Sequence, residues 1–132
     1  MTGNKKTILV VEDEEALLNA VKSKLEIHDF NVITARSVKQ AVDYLNNINK
    51  IDLVWLDHYL LGKENGLDLV SLMKDVNSKW KKIPIFVVSN TATPEKVDSY
   101  LHFGVDKYYT KSDYRLEDII NDINIIFNKN KK

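Results

Sequence analysis

Residues 51–57 of the chain read Ile-Asp-Leu-Val-Trp-Leu-Asp, an apolar run that ends abruptly in the carboxylate Asp57. Short runs of β-branched and bulky residues on consecutive positions are typical of strands covered on both faces, as in a parallel sheet flanked by helices. In open sheets of this kind, ligands bind beyond the carboxyl ends of the strands, where the strand order reverses. The position of Asp57 therefore predicts a functional site at the end of a buried strand.

A second run of the same kind, Thr7–Val11, is followed directly by Glu12 and Asp13. If both runs are parallel strands of one sheet, their carboxyl ends bring three acidic side chains to the same edge. Like charges at close range are unfavourable unless a positive group joins them. The sequence therefore predicts a site for a hard divalent cation, which prefers oxygen ligands.

The composition is that of one ordinary globular domain. The chain has 132 residues, 44% of them apolar and 29% charged. Basic and acidic residues number 19 each, which argues against a dedicated binder of polyanions. Because there is no cysteine, a structural disulfide and a thiolate metal site are excluded. Without a recognisable signal peptide or membrane span, the expected location is cytoplasmic, with no membrane contact.

Strand-like runs alternate with amphipathic helical patterns five times along the chain. Several helix ends are recognisable: Ser37–Gln40 fits a capping box, Thr93-Pro94 fits an N-cap followed by proline, and Gly104 fits a C-cap. The alternation predicts an α/β fold, a single doubly wound sheet of five parallel strands flanked by five helices. We expect one domain over residues 1–132, with a core from about 6 to 127 and a polar tail over 128–132.

Two further strand ends deliver polar side chains, Ser89 after the fourth apolar run and Lys111 after the fifth. Taken singly, they are most simply a loop hydroxyl and a solvated lysine. Together with the three acids they form a set that contains a nucleophilic carboxylate, metal-binding carboxylates, a hydroxyl donor and a cation. Phosphoryl transfer requires positioning and charge neutralisation around the transferring oxygens, and this set supplies both.

With this set in place, the chain resembles the receiver domain of two-component response regulators over roughly residues 6–127. The resemblance rests on the order of four short pieces and on the spacing between the last two. The pieces are Ile8–Glu14, Leu53–Asp57 with Gly66 downstream, Val87–Ser89 and Tyr108–Lys111. The resemblance implies a flavodoxin-like fold with strand order 2-1-3-4-5.

The resemblance also implies a role for each member of the set. Asp57 would accept a phosphoryl group from a phosphohistidine and form an aspartyl phosphate. Glu12 and Asp13 would hold Mg²⁺ (or Mn²⁺) together with Asp57 and the backbone carbonyl of Tyr59, and the metal would neutralise charge on the phosphoryl oxygens. Lys111 would pair with one of those oxygens.

Ser89 would hydrogen-bond another phosphoryl oxygen, and its movement would open space for Tyr108 to turn inward. This switch would change the surface formed by the fourth helix, the fifth strand and the fifth helix, to which a downstream protein target would bind. The implied donor is a sensor histidine kinase or a histidine phosphotransfer protein. The protein would catalyse only its own phosphorylation and dephosphorylation, and would bind no nucleic acid directly.

Several positions depart from the family's usual pattern, and two of them bear on the lifetime of the phosphoryl group. Asn90 stands where a small residue is common, and Tyr59 is bulky. Both should lie near the phosphoryl group and restrict the attacking water, which predicts a slowly hydrolysing aspartyl phosphate unless the side chains turn to solvent. His58 follows Asp57 directly, but adjacent strand residues point to opposite faces, which favours a loop or packing role.

Three other functions fit parts of the pattern. An Asp-nucleophile phosphatase of the haloacid dehalogenase type would need a second Asp where Tyr59 stands. A flavin-binding flavodoxin-like protein would need hydroxyls and glycines after the first strand, where Glu12–Glu15 would repel phosphate. A receiver-like interaction scaffold that is never phosphorylated would have no need of the intact acids, Ser89 and Lys111.

Overall fold

The computed structural model describes residues 5–90 and 93–129, in which strands and helices alternate strictly. The strands are β1 (Thr7–Val11), β2 (Asn31–Ala35), β3 (Leu53–Leu56), β4 (Ile85–Ser89) and β5 (Lys107–Thr110). The helices are α1 (Glu15–Ile27), α2 (Val38–Asn47), α3 (Gly66–Lys74), α4 (Pro94–Phe103) and α5 (Leu116–Lys129). None of the helices in the described part of the chain is long and apolar enough to cross a membrane.

The strands pair in parallel in the order β2-β1-β3-β4-β5. The register pairs Val11 of β1 with Leu56 of β3, so the residues that follow these two strands emerge side by side. On the other side of β3, at the same carboxyl edge of the sheet, Ser89 of β4 pairs with Thr110 of β5. The predicted fold class and strand order are confirmed, and the switch point lies between β1 and β3.

Helices cover both faces of the sheet. Leu53 and Trp55 of β3 pack in a core cluster with α1 and α5, whereas Val54 and Leu56 pack in a second cluster with α2, α3 and α4. Every residue of β3 is buried. This two-sided burial is the reason why the strand is apolar at consecutive positions, and it places Trp55 in the core.

Most of the predicted helix ends are present. The Thr93 hydroxyl accepts a hydrogen bond from the Lys96 N–H, and Gly104 closes α4 with a φ of +100°. Ser37 caps α2 by accepting from the Gln40 N–H at 3.1 Å. The reciprocal bond of the predicted capping box differs, because the Gln40 side chain accepts from the Arg36 N–H at 2.7 Å.

The last helix extends further than the sequence pattern predicts. α5 continues to Lys129, so residues 128 and 129 of the predicted polar tail are helical. A polar composition alone does not end a helix, and the stretch contains neither glycine nor proline. Residues 130–132 of that tail lie outside the described residues.

Candidate functional site

Three acidic side chains meet at the carboxyl edge of the sheet, between the ends of β1 and β3. Carboxylate oxygens of Glu12, Asp13 and Asp57 lie within 4.8 Å of one another. The Glu12 N–H donates to the carbonyl of Ala35 at 3.0 Å, and the Asp57 N–H donates to the carbonyl of Val11 at 2.9 Å. Bonds that continue the sheet ladder therefore set the spacing of two of the acids.

The acid cluster is electrostatically strained without a cation. Glu12 and Asp57 are only 2% and 4% exposed. Burial, followed by the repulsion of Glu12, raises the pKa of Asp57 to about 6, while Lys111 acts in the opposite direction. At neutral pH the ionised Asp57 is therefore an unusually basic carboxylate in an unfavourable environment, which a bound cation would relieve.

A lysine faces this cluster from the end of β5. The Lys111 Nζ lies 3.0 Å from Glu12 Oε1 and 3.6 Å from Asp57 Oδ2. Three carboxylates with one ammonium leave two negative charges, which matches the charge of a divalent ion. The oxygen-only donor set also suits Mg²⁺ or Mn²⁺, so the residues present fit such an ion.

Ser89 ends β4 beside the lysine. Its carbonyl accepts from the Lys111 N–H at 2.8 Å. Its hydroxyl is fully buried and has no hydrogen-bond partner among the residues described by the structure. A buried polar group without a partner costs about 1–3 kcal/mol, so the Ser89 hydroxyl is poised to donate to an oxygen that enters the site.

Tyr108 lies between this edge and α4. Its ring centre is 5.6 Å from that of Tyr100, and its side chain is half-buried. Burial raises the pKa of the Tyr108 hydroxyl, while the nearby Ser89 hydroxyl and Lys96 ammonium oppose this shift. The predicted switch aromatic is therefore adjacent to the predicted switch hydroxyl.

Tyr59 and Asn90, the two departures expected near the phosphoryl group, occupy different environments. Tyr59 is half-exposed, and its hydroxyl accepts from the Lys96 Nζ at 3.0 Å. The same ammonium lies 4.8 Å from the centre of the Tyr59 ring, so this side chain leans toward α4. Asn90 is exposed. Whether either side chain restricts water near Asp57 stays a prediction.

His58 has a packing role that connects Asp57 to α4, and the sequence did not indicate the partner. Its N–H donates to Asp57 Oδ1 at 2.8 Å, and its Nδ1 lies 2.6 Å from the buried Tyr100 hydroxyl. Burial, followed by Lys96, lowers the pKa of the imidazole. The only hint in the sequence was a tyrosine, an apolar ring with a polar tip, on the inner face of α4.

Gly66 allows this close packing. A Cβ atom at this position would lie 2.6 Å from the Asp57 carbonyl oxygen and 2.7 Å from the Tyr100 hydroxyl. The Gly66 N–H also donates to the His58 carbonyl at 2.8 Å. Only glycine lets α3 begin so close to the end of β3.

Comparison with known proteins finds relatives among the transcriptional regulatory proteins of bacteria. The transcriptional regulatory protein CpxR of Escherichia coli K12 is 33% identical over 106 residues, which are 79% of this chain and 42% of CpxR. The alginate biosynthesis transcriptional regulatory protein AlgB of Pseudomonas syringae pv. tomato is 34% identical over 110 residues, 83% of this chain and 23% of AlgB. The chain thus spans less than half the length of these curated relatives.

Solved structures share the fold over most of both chains. The receiver domain of the Francisella response regulator 1452 has a TM-score of 0.84 at 23% identity and covers 96% of this chain and 100% of its own. The Mn²⁺-bound form of response regulator Rcp1 has a TM-score of 0.75 at 28% identity, with 89% and 88% covered. The family model described as the response regulator receiver domain matches residues 8–124 of this chain. The chain therefore belongs to the response regulator receiver domain family.

Proposed function

We propose that Asp57 is the phospho-acceptor of this receiver domain. The family assigns the chain to the phosphoryl-accepting signalling switches of two-component systems. The observation that carries the assignment to Asp57 is its position within 4.8 Å of two further acids and 3.6 Å from Lys111, whose backbone N–H donates to the carbonyl of Ser89. These are the groups that a phosphoryl group on a carboxylate would need around it.

The acids form the cation site in this proposal. Glu12, Asp13, Asp57 and the backbone carbonyl of Tyr59 would hold Mg²⁺ or Mn²⁺. A bound ion supplies charge neutralisation for the phosphoryl oxygens. Support comes from the oxygen-only donor set and its two uncompensated negative charges, and from the Mn²⁺-bound form of the relative Rcp1.

The carboxylate of Asp57 is the nucleophile. The His58 N–H holds Oδ1 at 2.8 Å and thereby fixes the rotation of the carboxylate, while Oδ2 lies on the Lys111 side. A carboxylate oxygen would bond to the phosphorus of a phosphohistidine as the P–N bond breaks, and the donor's imidazole would leave with the electron pair. The pKa of Asp57, although raised to about 6, still leaves most of the group ionised at neutral pH, and the higher pKa makes it more basic than an ordinary carboxylate.

Two further side chains would receive the phosphoryl oxygens. Lys111 Nζ, now 3.0 Å from Glu12 Oε1, would exchange part of that ion pair for a phosphoryl oxygen. The buried Ser89 hydroxyl, which has no hydrogen-bond partner in the described part of the chain, would donate to another oxygen. Because Tyr108 lies next to Ser89, movement of the hydroxyl would shift the ring and change the surface formed by α4, β5 and α5.

Receiver domains act between histidine kinases and downstream effectors. For this chain we propose a sensor histidine kinase or histidine phosphotransfer protein as donor, and a protein target on the α4–β5–α5 surface. The balance of 19 basic and 19 acidic residues favours protein partners over direct contact with nucleic acid. A cytoplasmic location, where such kinases deliver their phosphoryl groups, completes the proposal.

The test is phosphorylation by acetyl phosphate in the presence of Mg²⁺, read out by intact mass. The native chain should gain one phosphoryl group, and the gain should disappear in Asp57→Asn and on chelation of the metal. Asp43→Asn is the matched control, because it makes the same change on the exposed face of α2 and should leave the adduct intact. An adduct that persists in Asp57→Asn would contradict the assignment. A folded native chain that gains none would favour the phosphorylation-independent scaffold.

A further inference from the structure

Arg36, which lies between β2 and α2, reaches the main chain of the acid cluster. Its Nε and Nη2 donate to the backbone carbonyl of Asp13 at 3.1 Å and 2.6 Å. We propose that Arg36 is a positioning residue of the cation site, which holds the Asp13 loop in its ligating geometry. This inference rests on the proposed function, because it assumes that the acids bind a divalent cation.

The main chain of Arg36 holds the opposite side of the same site. Its carbonyl accepts from the Leu61 N–H at 3.0 Å, and Ser37 and Leu61 form an isolated parallel bridge. Leu61 lies two residues beyond Tyr59, whose carbonyl is a proposed ligand. One residue therefore connects the loop after β1 to the loop after β3.

These contacts begin where the sheet ladder ends. Backbone bonds of the sheet fix Glu12 to Ala35 and Asp57 to Val11, but Asp13 is one residue beyond them. A guanidinium presents several donors in one rigid plane, so it holds a carbonyl more firmly than the mobile ammonium of a lysine. The side chain of Arg36 thus takes over the positioning of Asp13 from the sheet.

The positive charge of Arg36 should weaken cation binding, whereas its hydrogen bonds to Asp13 should strengthen it. A guanidinium close to three acids repels an incoming cation, so electrostatics alone predicts that its removal tightens cation binding. Positioning predicts the reverse, because groups that orient metal ligands commonly change affinity about 10- to 100-fold when they are lost. The sign of the change in affinity therefore separates the two effects.

The experiment measures the Mg²⁺ dissociation constant by calorimetry for the native chain, Arg36→Ala, Arg36→Lys and Lys39→Ala. We expect binding of Mg²⁺ to weaken about tenfold in Arg36→Ala and by a smaller factor in Arg36→Lys. The lysine variant keeps the positive charge but loses the two guanidinium donors held in one plane. Lys39→Ala is the control, because it removes an exposed charge of α2 that pairs with Asp43, and should change affinity less than about twofold. Unchanged or tighter binding in Arg36→Ala would overturn the proposal.

A readout without metal tests the structural part directly. The Glu14 N–H donates to Glu12 Oε2 at 3.1 Å within the same loop. Amide exchange at Glu14 should accelerate in both Arg36 variants of the metal-free protein, and unchanged exchange would argue against positioning. If Arg36→Ala does not fold, Arg36→Lys decides alone, and native affinity in that variant would overturn the inference. Failure of the native chain to bind Mg²⁺ would instead refute the proposed function.

Discussion

The Asp57 carboxyl is buried beside Glu12, and both effects raise its pKa from 3.8 to about 6. Because the pKa is higher in the folded chain than in the unfolded one, the proton binds the folded chain more tightly. This tighter proton binding contributes to the free energy of unfolding in full below about pH 4, and the contribution is lost as the pH rises through about 6. At neutral pH the ionised Asp57 therefore opposes folding of the metal-free protein.

Replacement of Asp57 by Asn should stabilise the metal-free chain at about pH 8 by roughly 1–2 kcal/mol, because the buried charge disappears. The gain should vanish near pH 4, where the native carboxyl is protonated. Urea unfolding at both pH values measures the difference. The exposed Asp43→Asn should give no pH-dependent gain, and a less stable Asp57→Asn at pH 8 would contradict the explanation.

Tyr59 and Asn90 should control how long the phosphoryl group stays on Asp57. If each side chain hinders the attacking water by about 1 kcal/mol, Tyr59→Asn and Asn90→Ala should each lose phosphate about fivefold faster. The measurement is loss of the phosphoryl adduct after removal of acetyl phosphate. Tyr114→Phe, an exposed aromatic that follows β5, is the control. Unchanged rates in both variants would mean that neither side chain restricts the water.

At the scale of elements, the hydrogen bond between His58 Nδ1 and the Tyr100 hydroxyl joins the loop after β3 to α4. Tyr100→Phe should cost about 1–2 kcal/mol of stability, because it leaves a half-buried imidazole nitrogen without a partner. Thermal or urea unfolding measures this cost. Tyr114→Phe is the matched control and should change stability by less than about 0.5 kcal/mol. Equal costs in the two variants would show that the bond does not hold α4.

For the molecule as a whole, cation binding should raise the free energy of unfolding. An ion that binds only the folded chain adds about 1.4 kcal/mol at ten times its dissociation constant. We therefore expect Mg²⁺ to raise the melting temperature of the native chain, and Asp13→Asn to abolish most of the rise. NaCl of equal ionic strength is the control for screening. A similar rise in Asp13→Asn would place the ion elsewhere.

The sequence by itself determined which residues share the site. Parallel strands end at a common edge, so any residue that directly follows a buried strand is delivered there. Glu12, Asp57, Ser89 and Lys111 each end or follow such a strand. The structure brings the side chains of Glu12, Asp57 and Lys111 together, and Ser89 is bonded to Lys111 through the main chain. The fold class followed from the same alternation of buried runs and amphipathic helices.

Only the tertiary structure decided how the site is held. Arg36 reaches Asp13 and His58 reaches Tyr100 across gaps of 23 and 42 positions in the chain. Hydrophobic periodicity assigns a residue to a face of its own element, but it carries no information about which distant side chain meets it. Those pairings depend on how the helices pack on the sheet and on the rotamers that this packing permits.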